Sequence, residues 1–357
     1  MNSKRLIDTF CEFVKIPSES PNDKEFVSYM EKLLQKEGAK TVKDNFGNLI
    51  AKFPAKNSNS KIPVAFTCHG DTVKPGIGIE PVIEKGIIRS KGDTILGADD
   101  KAGIAEVLEA IRSAEKYPPF EFIITRCEES ATEGSSKLDY SLIDSKMAFC
   151  FDEENITDVI RGAPTKFALY VEYTGISAHA SEPENGVSAV IPAAKAISRL
   201  RLGKLDDHTT ANVGIIEGGE VINGIPGKAK VVAECRSTDH NKAVALCKEM
   251  EGIFKKAAEE CNVKVDVRPE LKYYSFLLKE DSPVIKLAVD ALSKHGIKPN
   301  VRVITGGLDS NNFNRNGIQT ATVGVGSGEI HTKKEFAIIK DMETMVKVAI
   351  DILENLA

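Results

Sequence analysis

The chain of 357 residues carries a net charge of −5, and 42% of its residues are hydrophobic while 28% are charged. At ~150 residues per domain this length suggests two domains, with enough chain for a sizeable core. The acidic balance argues against a nucleic-acid partner, and no apolar run approaches the roughly 20 residues of a membrane span. The seven cysteines form no CxxC pair, which is typical of reduced thiols and predicts a cytoplasmic protein.

The first 155 residues alternate between short strand patterns and helical patterns. A helix is predicted over 101–116, because Ile104, Val107, Leu108 and Ile111 recur on one helical face. Short apolar runs predict strands at 47–53, 63–69, 121–127 and 147–151. Alternation of this kind indicates an α/β sheet covered by helices.

The pattern changes from residue 166 onward. Strands are predicted at 167–174, 210–217, 229–237 and 263–268, with helices at about 187–200 and 243–261. The resulting order β-α-β-β-α-β is the ferredoxin-like unit. After residue 281 the α/β pattern resumes, with strands at 301–305 and 318–324 and a closing helix. We therefore predict an α/β catalytic domain made of residues 1–165 and 281–357, with residues 166–280 inserted as an α+β domain.

Potential metal ligands follow several of these predicted elements. Catalytic zinc sites use histidine nitrogen and carboxylate oxygen, and clefts form at the carboxyl ends of the strands of open α/β sheets. The candidate segments are His69-Gly70-Asp71, Asp99-Asp100, Glu128-Glu129, Asp152 and His331. Adjacent carboxylates such as Glu128-Glu129 allow one to bind a metal while the other transfers protons.

Each segment has an ordinary explanation when it is taken alone. His69 fits a loop histidine, Asp99-Asp100 fits the N-terminal cap of the next helix, and Glu128-Glu129 fits the solvated start of a loop. Their joint occurrence in this order favours a site, because together they supply enough ligands for two metals that share one carboxylate.

The chain resembles the co-catalytic dinuclear zinc exopeptidases, which include peptidase T, certain carboxypeptidases and N-acyl-amino-acid deacylases. The more specific marks are GADDKAG at 97–103 and IHT at 330–332 followed by Glu335-Phe336. The resemblance implies a zinc-exopeptidase-like catalytic domain with an inserted ferredoxin-like lid and dimerisation domain. Two features depart from the family pattern beside Glu128: Cys127 stands in place of Gly or Asp, and the turn at 130–134 is unusual.

The same resemblance implies a role for each candidate residue of the catalytic domain. His69 and Asp152 would hold one metal, Glu129 and His331 the other, and Asp99 would bridge them. Asp71 would orient His69, and Glu128 would be the general base. A cis peptide bond is expected between Asp99 and Asp100.

Three residues of the inserted domain match substrate-contacting positions of the family. His179 would reach the substrate, in related dimers from the neighbouring subunit, Arg236 would bind a substrate carboxylate, and Asn223 would contact the substrate. The ordinary alternatives are a surface histidine, a structural ion pair and a turn residue, respectively.

The sequence thus predicts a metal-dependent exopeptidase, a peptidase T-like tripeptide aminopeptidase that forms a homodimer through the inserted domain and acts on small peptides. Two divalent ions per chain are expected, zinc in the first place and cobalt or manganese as alternatives. The enzyme alternatives are a deacylase of N-acyl amino acids, a carboxypeptidase or a dipeptidase. The non-enzyme alternative is a metal-dependent peptide-binding protein.

Overall fold

The computed structural model describes residues 1–357. The helices are α1 (Ser3–Phe13), α2 (Lys24–Lys36), α3 (Ala98–Ser113), α4 (Glu133–Ser136), α5 (Val190–Arg199), α6 (His240–Glu260), α7 (Pro283–Lys294), α8 (Asp309–Arg315) and α9 (Ile339–Asn355). The strands are β1 (Lys40–Lys43), β2 (Leu49–Phe53), β3 (Val64–His69), β4 (Pro81–Glu84), β5 (Ile87–Ser90), β6 (Phe120–Thr125), β7 (Met147–Glu153), β8 (Asp158–Ala163), β9 (Thr165–Thr174), β10 (Ala178–His179), β11 (Gly203–Asp206), β12 (Thr209–Gly218), β13 (Gly224–Ile225), β14 (Lys228–Ser237), β15 (Lys264–Tyr273), β16 (Phe276–Leu277), β17 (Asn300–Val303), β18 (Gln319–Gly324), β19 (Ser327–Gly328) and β20 (Phe336–Ile338).

The chain divides into two compact units. The first comprises Met1–Gly162, Leu277–Val303 and Leu308–Ala357, and the second comprises Ala163–Phe276 with Ile304–Gly307. The functional assignment of residues 166–280 to a lid and dimerisation domain stays a prediction at this point.

A mixed sheet forms the centre of the first unit. Seven strands follow the order β1-β2-β6-β3-β7-β18-β8, and β17 pairs with β8. The central pairs β3–β6, β3–β7 and β18–β7 are parallel, whereas β2 joins β6 in antiparallel fashion. This arrangement confirms the predicted α/β class, and it brings the carboxyl ends of β3, β6 and β7 to one edge of the sheet.

Both faces of this sheet are buried, which explains why its central strands are almost uninterrupted apolar runs. All six residues of β3 are buried. Phe66, Phe122 and Phe149 pack with α3, α7 and α9 in the larger core, while Ala65 and Ile123 pack on the other face with Phe313 of α8.

The second unit contains an antiparallel sheet in the order β11-β12-β14-β9-β15. Together with α5 and α6, strands β9, β12, β14 and β15 form the predicted β-α-β-β-α-β unit, so the ferredoxin-like expectation is confirmed. Strand β11 is an added edge strand that its short polar sequence did not indicate. The core lies between the sheet and the helices, where Val171 and Val231 are buried with Met250 and Phe254 of α6.

Some boundaries differ from the sequence-based expectation. Helix α3 covers Ala98–Ser113 rather than 101–116, because the chain turns at Gly97, whose φ of 73° suits glycine. Helix α2 and strand β8 were not predicted. No helix of the structure combines the length and the apolar character needed to span a bilayer.

Candidate metal centre

The predicted ligands of the first unit gather at the carboxyl edge of the central sheet. Strand β3 ends at His69, which lies in parallel register with Thr125 at the end of β6. Glu128 and Glu129 follow β6 within four residues, and Asp152 is the penultimate residue of β7. The parallel pairing of these strands therefore places residues that are far apart in sequence at one edge.

One group of potential ligands consists of His69, Asp99 and Asp152. Nε2 of His69 lies 3.0 Å from Oδ1 of Asp99 and 3.4 Å from Oδ1 of Asp152. His69 is 2% exposed, so this imidazole faces carboxylates in a desolvated environment. The ligand atoms of the three residues all lie within 4.8 Å of one another.

A second group consists of Asp99, Glu129 and His331. Nε2 of His331 lies 3.1 Å from Oδ2 of Asp99 and 3.0 Å from Oε2 of Glu129. Asp99 belongs to both groups and presents Oδ1 to His69 and Oδ2 to His331. The two groups of potential ligands are therefore neighbours that share one carboxylate.

The Asp99-Asp100 pair has a backbone unlike that of the helix it begins. The peptide bond between the two residues is cis, as expected from the sequence resemblance, and both residues have non-helical dihedral angles. The Asp100 side chain accepts a hydrogen bond from the backbone N–H of His69 at 3.2 Å. The Asp99 side chain thus belongs to both ligand groups, while the Asp100 side chain accepts a backbone hydrogen bond at the end of β3.

Asp71 contacts three parts of the site. Nδ1 of His69 lies 2.9 Å from the backbone oxygen of Asp71 and 3.5 Å from its carboxylate. The carboxylate accepts hydrogen bonds from the backbone N–H groups of Glu128 at 2.9 Å and Glu129 at 3.2 Å, and from the hydroxyl of Ser20. Its main contacts therefore fix the Glu128-Glu129 segment, a function that the sequence did not indicate.

Burial and close contacts shift the pKa values of the charged groups in this cluster. Burial raises the pKa of Asp152 to about 7 and also raises that of Glu129. Burial, followed by the charge of Asp152, raises the pKa of Glu128 well above its usual range. Hydrogen bonds to Asp99 and Glu129 raise the pKa of His331 to about 10. Imidazole nitrogen with carboxylate oxygen is a donor set that divalent zinc, cobalt and manganese accept.

Glu128 belongs to neither ligand group. It follows Cys127, whose φ of 52° lies in the left-handed region. The backbone therefore turns at Cys127, and Glu128 does not continue the line of β6. The high pKa of Glu128 reflects its burial and the charge of Asp152, and burial beside a like charge is an environment that tunes a carboxyl for proton transfer.

Asp309 is a supporting residue that the sequence did not indicate. Asp309 begins α8, is 1% exposed and accepts hydrogen bonds from the hydroxyls of Thr125 and Ser135. Its charge contributes to the raised pKa values of Glu128 and Asp152. In the sequence Asp309 stands only at the end of a Gly-Gly turn, a pattern that gives no sign of these contacts.

The substrate-contacting candidates lie in the second unit. His179 and Asn223 are exposed neighbours, because β10 pairs with β13 and the N–H of Ala180 donates to the oxygen of Asn223 at 2.9 Å. A cleft of about 470 Å³ is lined by residues flanking both, including Ala178 and Gly224. Arg236 forms a two-pronged ion pair with Glu234, at 2.9 and 3.2 Å, so its guanidinium is already partly occupied.

Comparison with known proteins gives consistent matches. The family model of the M20 peptidase dimerisation domain matches residues 167–262. The chain is 34% identical to the uncharacterized protein YqjE of Bacillus subtilis (strain 168), with 100% of both chains covered.

Two solved structures are similar over the whole chain. Aminopeptidase PepT from Bacillus cereus ATCC 10987 has 35% identity and a TM-score of 0.89, with 100% of this chain and 99% of that chain covered. A tripeptidase from Staphylococcus aureus subsp. aureus Mu50 has 32% identity, a TM-score of 0.94 and the same coverage. The chain therefore belongs to the M20 peptidase family, among its peptidase T-like members, and is a hydrolase of peptide bonds.

Proposed function

We propose that the protein is a tripeptide aminopeptidase that uses two divalent metal ions, zinc in the first place and cobalt or manganese as alternatives. The observation that carries the proposal is the pair of ligand groups that share Asp99. The solved relatives described as an aminopeptidase and a tripeptidase support the substrate class.

In this proposal His69 and Asp152 would hold one metal, Glu129 and His331 would hold the other, and Asp99 would contribute to both sites. When bound, the metals lower the pKa of water and polarise the scissile carbonyl. Asp71 fixes the backbone of Glu128 and Glu129 by accepting their N–H groups.

Glu128 acts as the general base in this mechanism. Its carboxylate takes a proton from the attacking water and then donates it to the leaving amine. The desolvated setting that raises its pKa supports the first step, because a carboxylate of higher pKa accepts a proton more readily. The proton then passes to the leaving amine, which is the stronger base.

The second unit supplies substrate recognition and dimerisation in the proposal. His179 and Asn223 contact the peptide backbone, and Arg236 binds a terminal carboxylate in competition with Glu234. The match to a peptidase dimerisation domain supports a homodimer, which analytical ultracentrifugation tests. A cytoplasmic location accords with seven free thiols.

Metal titration of the stripped protein tests the two-metal site. We expect no peptide hydrolysis after chelation, and restored hydrolysis of a free tripeptide as two equivalents of zinc, cobalt or manganese bind. Saturation at one equivalent, or full activity without metal, would refute the shared-carboxylate site. Inclusion of N-acyl amino acids in the same titration distinguishes a peptidase from a deacylase.

A further inference from the structure

Glu335 is a buried carboxylate that joins two ligand-bearing segments of the first unit. It is 2% exposed and lies four residues after His331. Its Oε2 accepts hydrogen bonds from the N–H groups of Leu96 at 2.7 Å and Gly97 at 2.8 Å. Its Oε1 accepts one from the N–H of Asp99 at 3.0 Å.

No helical carbonyl accepts these three N–H groups, because Leu96 and Gly97 precede α3 and Asp99 lies in its first turn. The first N–H groups of a helix lack intrahelical acceptors, and the N-terminal cap of α3, Gly97, has no side chain to supply one. Asp99 has a non-helical ψ of 103°, so regular helix geometry does not set the direction of its carboxylate. The bond from Glu335 reaches the backbone of this residue directly.

The segment that contains Glu335 also carries His331. Within it, the N–H of Glu335 donates to the oxygen of Thr332 at 3.2 Å, and the hydroxyl of Thr332 donates to the oxygen of Glu329 at 2.7 Å. These local bonds make a compact turn around His331. One carboxylate therefore connects the turn of His331 with the backbone of Asp99.

We propose that Glu335 is a positioning residue of the metal centre, which sets the direction of Asp99 and the spacing between Asp99 and His331. The inference rests on the proposed metal-binding function of these two residues. Groups that orient ligands through hydrogen bonds typically affect metal affinity by about 10–100-fold, and this range sets the expected effect.

Glu335→Gln provides a sharp test because an amide has one oxygen and one NH₂ group. If its oxygen faces Leu96 and Gly97, its NH₂ faces the N–H of Asp99, and two donors oppose each other. In the reverse orientation the NH₂ group faces the N–H groups of Leu96 and Gly97, and donors again oppose each other. The first orientation loosens the backbone at Asp99, and the second loosens the turn at Leu96 and Gly97 that precedes it, in both cases without a change in side-chain size.

Glu121→Gln is the matched control. Glu121 is also 2% exposed and accepts backbone N–H groups, those of Asp144 at 3.0 Å and Ser145 at 2.8 Å, but it touches no ligand segment. Both substitutions should lower the melting temperature of the metal-free protein. Only Glu335→Gln should also weaken metal binding.

The measurement is the dissociation constants of Zn²⁺ and Co²⁺, obtained by competition with a chromophoric chelator, together with melting temperatures of the metal-free proteins. We expect Glu335→Gln to weaken binding by about 10–100-fold, and Glu335→Asp, which keeps the charge but is shorter, to weaken it less. If Glu335→Asp and Glu335→Gln bind both ions like the wild type, Glu335 only stabilises the helix and the inference is wrong. Failure of the wild type to bind metal would instead refute the proposed function.

Discussion

Glu128 and Glu129 are adjacent carboxylates for which the structure predicts different failures on substitution by glutamine. Glu129 belongs to a ligand group, with Oε2 at 3.0 Å from Nε2 of His331, whereas Glu128 belongs to none. Asp71 holds both residues through their backbone N–H groups, which neither substitution removes. Glu128→Gln should therefore retain both metals and lose only proton transfer.

The expected loss for Glu128→Gln follows from general acid–base catalysis. That effect is typically worth about 10²–10⁴-fold in rate, or about 3–5 kcal/mol of activation free energy. Glu129→Gln replaces a charged ligand with a neutral one, so it should weaken one metal, and excess metal should partly restore its activity.

Metal content and tripeptide turnover of both variants decide the assignment. Elemental analysis after dialysis against a fixed metal concentration gives the stoichiometry, and turnover is measured with and without excess zinc. A Glu128→Gln protein that loses one metal, beside an inactive Glu129→Gln protein that keeps two, would mean that the two roles are reversed. Near-normal turnover in both variants would refute the mechanism.

Three further predictions concern contacts between subunits, proton release on metal binding and the role of Asp71. If His179 acts across a dimer interface, equimolar exchange of inactive His179→Ala and Glu128→Gln subunits should restore about a quarter of wild-type activity, since half of the dimers then contain one intact site; no recovery after confirmed exchange would exclude this role. Metal loading near pH 7 should release protons, because Asp99 and Glu129 raise the pKa of His331 to about 10 in the metal-free protein and a ligand must be deprotonated; calorimetry in buffers of different ionisation enthalpy measures this, and buffer-independent heats would contradict it. Asp71→Ala removes the acceptor of the backbone N–H groups of Glu128 and Glu129, so it should lower kcat and also weaken metal binding by about 10–100-fold; a variant with weakened metal binding and unchanged kcat would instead assign Asp71 to His69.

The fold was largely predictable because its periodic segments are long. The β-α-β-β-α-β order of the second unit appeared in the alternation of its strands and in the apolar stripe of α6. Strand β8 was missed because a short segment with Asp158 and Arg161 has no clear period. Strand β11 was missed for the same reason, since its four residues are half polar.

The candidate ligands other than His331 were recognisable because each ends or follows a predicted strand or precedes a predicted helix, whereas His331 follows a glycine-rich turn. Their supporting residues were not, because they act through contacts between distant parts of the chain. Glu335 bonds to Asp99 across 236 positions, and Asp309 to Thr125 across 184 positions. Every residue except proline carries a backbone N–H group, so no residue type marks the contacts of Asp71 with Glu128 and Glu129. These contacts became visible only in the structure.

Cleavage of one tripeptide in free and N-acetylated form, read by mass spectrometry with metal-loaded protein, tests the aminopeptidase proposal most directly. We expect release of the first residue from the free tripeptide, little cleavage of the N-acetylated one, and no products from the Glu128→Gln protein. Release of the C-terminal residue from both forms, or hydrolysis of N-acyl amino acids in preference to the free tripeptide, would contradict the proposed activity.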